Sequence, residues 1–96
     1  MEKKYFVMYL RPSRPNFAQT MTPEELNIMQ QHVAYWKFYL DNGTLIVYGP
    51  VLDPNGTYGI GIVGVENEKE LQALIEKDPA SKINRYEYFP MRAVVK

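Results

Sequence analysis

The chain has no cysteine, one histidine and one tryptophan. Without cysteine there is no disulfide, no thiolate nucleophile and no Cys-type zinc site. A single histidine, His32, excludes a multi-histidine metal centre within one chain, and no carboxylate motif takes its place. No metal and no cofactor is expected. An excess of one charge is missing too: eleven basic residues face eleven acidic ones, and the pI is near 6.6. Phosphate backbones draw in proteins with surplus positive charge, so nucleic acid is not an expected partner. Long apolar runs are also lacking. The first, Tyr5–Leu10, stops at Arg11 and is too short for a signal peptide or a spanning helix. No basic amphipathic stretch suits a membrane surface. No serine stands in a nucleophile-elbow context, and no H-E-x-x-H occurs. These absences point to a cytoplasmic protein without nucleic-acid or membrane partners.

What is present is an ordinary globular balance, 46% hydrophobic and 23% charged. Ninety-six residues make one domain over 1–96. A chain of this size hides only about 60–65% of its unfolded surface, so an oligomer would bury usefully more.

Residues 4–10, KYFVMYL, read as a strand bounded by Arg11-Pro12. RPSRPNFAQT reads as a loop, its two prolines opposing regular structure. Thr22-Pro23-Glu24-Glu25 is a helix start: Thr22 caps, Pro23 suits the first turn and Glu25 completes a capping box. Leu26, Met29, Val33, Trp36 and Leu40 recur at three- and four-residue steps, which predicts one apolar face, and Gly43 ends the helix. Thr44–Tyr48 is a second strand, Asp53-Pro54-Asn55-Gly56 a turn, and Thr57–Val65 a third strand. Asn67 and Glu70 open a second helix that ends near Asp78-Pro79. The last strand is placed over Tyr86–Val95, bulged at Pro90. The order β-α-β-β-α-β is the ferredoxin-like pattern, an α+β fold with a four-stranded antiparallel sheet and two helices on one face.

Gly59-Ile60-Gly61-Ile62-Val63-Gly64 matches the letters of a dinucleotide fingerprint, but its glycines lie inside a strand rather than at a strand-to-helix turn. Gly59 and Gly61 share one strand face, where missing side chains leave room for close packing or for a ligand.

His32 is the outstanding candidate for chemistry. On a helical wheel it lies at the border of the apolar stripe. It is either a core-edge histidine with one hydrogen bond or a general acid or base. A base of this kind needs an orienting acceptor, and Asp78 serves if the two helices pack side by side. Asp-Pro-Ala is equally a cap for a short extra turn. Arg11 and Arg14, on the proline loop, are either an anion clamp or solvated surface residues. Tyr35, Tyr39, Tyr86 and Tyr88 suit a pocket or a subunit interface.

The stretches YFVMYLRPSRP, QHVAYWKFYLDNGTLIVYGPVLDPNG, YGIGIV and EKDPA, in this order and spacing, resemble the YCII-like family over roughly residues 4–90. The resemblance implies a dimeric α+β barrel and an active-site pairing of the helix histidine with the aspartate of the DP pair, here His32 and Asp78. The family's arginine after the first strand matches Arg11, with Arg14 a second equivalent. Few members have an assigned reaction, one being dehydrochlorination of a hydroxylated aromatic. The chain departs at SKINRYEYF, with Asn84 where glycine is expected. The reading that follows is a homodimeric small-molecule enzyme of lyase or isomerase type, acting on a small aromatic or anionic ligand. His32 and Asp78 are its acid/base pair, and Arg11, Arg14 and Tyr35 bind the ligand. The alternative is a non-catalytic dimeric ligand-binding module in which His32 is structural.

Overall fold

Alternation along the first strand sets the layout. In β1 (Lys4–Arg11), Phe6, Met8 and Leu10 are buried, while Tyr5, Val7, Tyr9 and Arg11 point to the other face and stay partly open. The computed structural model describes residues 3–96. After β1 come a single helical turn, α1 (Phe17–Thr20), the long α2 (Pro23–Asp41), β2 (Leu45–Val51) and β3 (Tyr58–Val65). The chain continues with α3 (Glu68–Lys77), a 3-10 turn (Pro79–Lys82) and β4 (Arg85–Met91). The strands form one antiparallel sheet in the order β2-β3-β1-β4. This is the expected ferredoxin-like α+β arrangement, with both long helices packed on the Phe6–Met8–Val63 side.

Local chemistry explains most boundaries. The Thr22 hydroxyl accepts from Glu25 N–H, and the Glu25 carboxylate accepts from Thr22 N–H, so the capping box is complete. Gly43 follows α2 at φ +88°, a conformation that costs other residues a steric penalty. Asn67 caps α3 by accepting from Glu70 N–H, whereas the Glu70 carboxylate reaches back to Glu66 N–H.

Three expectations shift. The proline loop is not wholly irregular: Phe17–Thr20 makes one helical turn because burying Phe17, 5% exposed, outweighs the flanking prolines. β4 ends at Met91 rather than Val95 and has no bulge. Its last partner is Tyr5, close to the start of β1. β2 runs through Gly49-Pro50 to Val51 and carries its irregularity at Leu45/Val47 instead. Pro50 and Pro90 both lie in edge strands, where a missing N–H costs little.

The core gathers Phe6, Met8, Trp36, Leu45, Val63, Val65, Leu71 and Leu74. The apolar face expected of α2 is only partly used. Trp36 is the one residue of α2 that is buried, and Leu26, Val33 and Leu40 are exposed. The helix thus leaves a space over the sheet, and that space is the pocket described next. Among the described residues, no helix is long and apolar enough to cross a membrane.

Candidate active site

His32 and Trp36 are one helical turn apart on α2, so their side chains reach the same region. That region holds Asp78, which ends α3 and starts the 3-10 turn. Asp78 both caps the 3-10 turn and contacts His32, each through a different oxygen. Oδ1 accepts from Ala80 N–H at 2.9 Å and caps the turn. Oδ2 accepts from Trp36 Nε1–H at 2.9 Å and from the Tyr86 hydroxyl, and lies 2.8 Å from His32 Nδ1. Asp78 is 0% exposed. A carboxylate so buried is tolerated only when donors replace its water, and here four do.

The electrostatics follow from that cage. Burial pushes the Asp78 carboxyl up, but hydrogen bonds from His32 and Tyr86, the His32 charge and Ala80 N–H more than offset it. The net direction is downward, so Asp78 is an anion at neutral pH. An ionised carboxylate only accepts, so the His32 Nδ1 carries a proton and donates it to Oδ2. Tyr86 moves the other way. Burial and the adjacent Asp78 charge push its hydroxyl well above the ordinary tyrosine value, so it remains a donor.

With Nδ1 occupied, Nε2 is the free edge of the imidazole. It has no hydrogen-bond partner, and it is not among the buried unpaired atoms, so it is open to solvent or ligand. His32 lines a cavity of about 280 Å³ between α2, α1 and the β2–β3 side of the sheet. This is near the lower end of the range for small-molecule sites. Met8, Leu10, Phe17, Met21, Met29, Val33 and Trp36 supply apolar walls, and Gly59 and Gly61 lie in the floor. A Cβ on Gly61 would come within 3.0 Å of Met8 Cε, so the strand packs closely there, and the bare backbone also bounds the cavity. No Lys, Arg, Asp or Glu lines the cavity. Among the described residues, no group of three His, Asp or Glu side chains is placed to hold a metal ion.

The other three candidates lie elsewhere. Arg11 is on the opposite face of the sheet, its guanidinium over the rings of Tyr9 and Tyr58 and paired with Glu87 at 3.0 Å. Leu10 faces the helices, so the period-two rule already sends Arg11 away from His32. Arg14 makes a two-pronged contact with Glu25, at 2.9 and 3.0 Å, and also donates to Thr20. It ties α1 to the start of α2 rather than entering the cavity. Tyr35 donates its hydroxyl to Leu74 O at 2.6 Å and stacks edge-on with Trp36 and Tyr39. Asn84 and Trp36 escaped the sequence reading as site residues. Trp36 stands four residues after His32, a spacing that does signal a shared helix face, whereas Asn84 follows the 3-10 turn, and the Asp-Pro-Ala cap that announces the turn does not say that the residue after it meets the cavity.

A ferredoxin-like α+β domain with a histidine–aspartate pair beside an apolar cavity defines the class. The YCII-related domain model matches residues 5–93 of the 96, so the chain belongs to the YCII-related domain family. The chain matches none of the curated proteins.

Proposed function

We propose that this YCII-related chain is a small-molecule enzyme in which His32 Nε2 takes or gives a proton and Asp78 holds the imidazole. The observation that carries this is the geometry of one ring: Nδ1 is anchored on a buried, fully hydrogen-bonded carboxylate, and Nε2 is open at an apolar cavity. Asp78 would fix the tautomer and stabilise the imidazolium formed on proton uptake. Lyase or isomerase chemistry fits a site with an imidazole edge open at the cavity. The lining favours a small, mainly apolar or aromatic ligand over an anionic one, because no lysine or arginine among the described residues faces the cavity. Arg11, Arg14 and Tyr35 have no part in this reading, since their polar groups are engaged elsewhere.

The test is a screen of small aromatic and carbonyl compounds for those that raise the melting temperature. Binders are then incubated in D₂O and followed by NMR for conversion or for deuterium uptake from solvent. His32→Gln should slow either process by about 100- to 10,000-fold. The second reading, a non-catalytic binding module, has one observation in its favour: no charged side chain lines the cavity to stabilise a developing charge. Binders that never exchange a proton, and that bind His32→Gln equally well, would establish it.

The working unit in this proposal is a homodimer joined through the sheet face away from the helices. Val7, Tyr9, Ile60, Ile62 and Phe89 lie on that face, and Phe89 is 54% exposed. An apolar patch of this kind is normally covered. Sedimentation at micromolar concentration should give twice the monomer mass, and a monomer would remove the dimer from the proposal.

A further inference from the structure

Most polar atoms around the cavity are already engaged. Trp36 Nε1 and the Tyr86 hydroxyl belong to Asp78, and the Tyr48 hydroxyl reaches Val33 O at 3.5 Å. Asn84 is different. Its backbone N–H is tied to Ala80 O at 2.9 Å, which fixes the residue at the end of the 3-10 turn. Its side chain has one contact, Nδ2 to the Met29 sulfur at 3.4 Å. The orientation of the amide follows from that contact: a thioether only accepts, so the NH₂ faces the sulfur and the carbonyl faces away. Oδ1 is then buried without a partner, the one such side-chain atom among the described residues. An unpaired buried carbonyl is costly, and natural chains keep one chiefly where it has a task.

The position of Asn84 suggests that task. Asn84 and Met29 both line the cavity, and Met29 precedes His32 by three residues on the same side of α2. Asn84 therefore meets α2 three residues before His32, at the same cavity. The amide torsion of asparagine is broad, so a modest rotation brings the carbonyl into the cavity, giving up only a weak N–H···S contact. We propose that Asn84 is a specificity-determining residue of this pocket: its Oδ1 receives a hydrogen bond from an uncharged ligand bearing an N–H or O–H donor on an apolar body. This rests on the cavity being the ligand site, and it adds the polar feature by which the ligand is chosen. A ligand without the donor would leave the carbonyl unpaired and bind more weakly.

Indole and 1-methylindole serve as probes, since they share one apolar body and only indole has a donor. Binding is followed by ¹H–¹⁵N chemical shifts in the wild-type protein and in Asn84→Leu. Wild type should prefer indole by about tenfold, and Asn84→Leu should bind both alike while melting at a higher temperature, because the orphaned carbonyl is gone. Any preference due to the bulk of the methyl group would survive in Asn84→Leu, because leucine is no smaller than asparagine. Equal binding of the two probes to wild type, or a preference that persists in the variant, would overturn the role of Asn84 and leave the pocket standing. If neither probe shifts any cavity residue, the pocket reading itself fails, and the role of Asn84 fails with it. Asn84→Met, also no smaller than asparagine and without a side-chain carbonyl, carries the same comparison should the leucine variant not fold.

Discussion

Two carboxylates hold the long helix in place, and they do so in opposite surroundings. Glu25, near its start, grips Arg14 directly at the partly exposed surface, while Asp78 meets its middle through His32 and Trp36 with no solvent contact at all. Both are shifted below the ordinary carboxylate value. For Glu25 the cause is first the Arg14 hydrogen bond and then the Thr22 N–H, which bring it from 4.5 to about 2. For Asp78, burial works against the shift and the surrounding donors overcome it. The same direction therefore carries different weight. A solvated pair can lose a partner and let water in, but a dry one leaves groups that nothing else satisfies.

The sharpest way to break the comparison is Asp78→Ala. It strands His32 Nδ1–H and Ala80 N–H, leaves Trp36 Nε1–H with the Tyr86 oxygen alone, and removes the acceptor of the Tyr86 hydroxyl. The expected loss is about 3–5 kcal/mol, and urea titration measures it directly. In so small a domain this lowers the melting temperature by well over 10 °C. Gly61→Val leaves both carboxylates intact and fills the cavity between helix and sheet. Its first carbon already meets Met8 at 3.0 Å, so about 1–3 kcal/mol should be lost. Gly56→Ala, where only the φ of +141° opposes a side chain, should cost less, about 1 kcal/mol. Equal melting temperatures for the two glycine variants would mean that the floor of the cavity is not packed.

Tyr86→Phe sharpens the picture of the buried site by removing one donor and keeping the ring. A loss of about 1.5 kcal/mol is expected, less than for Asp78→Ala because the carboxylate keeps three donors. The smallest effect belongs to Glu25→Gln. It should shift the melting temperature least of the set, and the shift should shrink further in 1 M salt, whereas that of Asp78→Ala should not.

Acid adds a test with a definite sign. A carboxylate whose folded pKa is depressed contributes stability that is fully present above its unfolded pKa. That contribution is lost as the pH falls through the folded value. For Glu25 the window runs from about pH 4.5 down to about 2. For Asp78 it lies below the ordinary aspartate range. Stability should thus fall as the pH drops below about 4.5. Glu25→Gln should flatten only the Glu25 part of the decline, leaving a residual drop at lower pH that belongs to Asp78.

Much of this was legible wherever the signal was local. Thr22-Pro23-Glu24-Glu25 marked the helix start because capping involves neighbours within three residues. Asp53-Pro54-Asn55-Gly56 marked its turn because Asp53 bonds to Asn55 N–H within the same four residues. The His32–Asp78 contact spans 46 positions and came through resemblance, with the helical wheel allowing it but not requiring it. Arg11 lies on the face away from His32, a placement that strand alternation already implies, since Leu10 and Arg11 cannot both face the helices. The α1 turn and the end of β4 were not legible, because each depends on what the remainder of the fold places opposite. Phe17 finds a cavity wall to bury against, and β4 stops at Met91, opposite Tyr5 of β1.

The strand order has a consequence for how the domain is born. β1 is synthesised first and sits between β3 and β4, and its residues Tyr5 and Arg11 align with Met91 and Arg85. One edge of β1 therefore stays unpaired until β4, the last strand, has left the ribosome. Contacts so distant in sequence slow folding, because a long loop must close before they form. Through that interval the row of Phe6, Met8 and Leu10 lies beside an open strand edge, a combination that invites aggregation in a nascent chain.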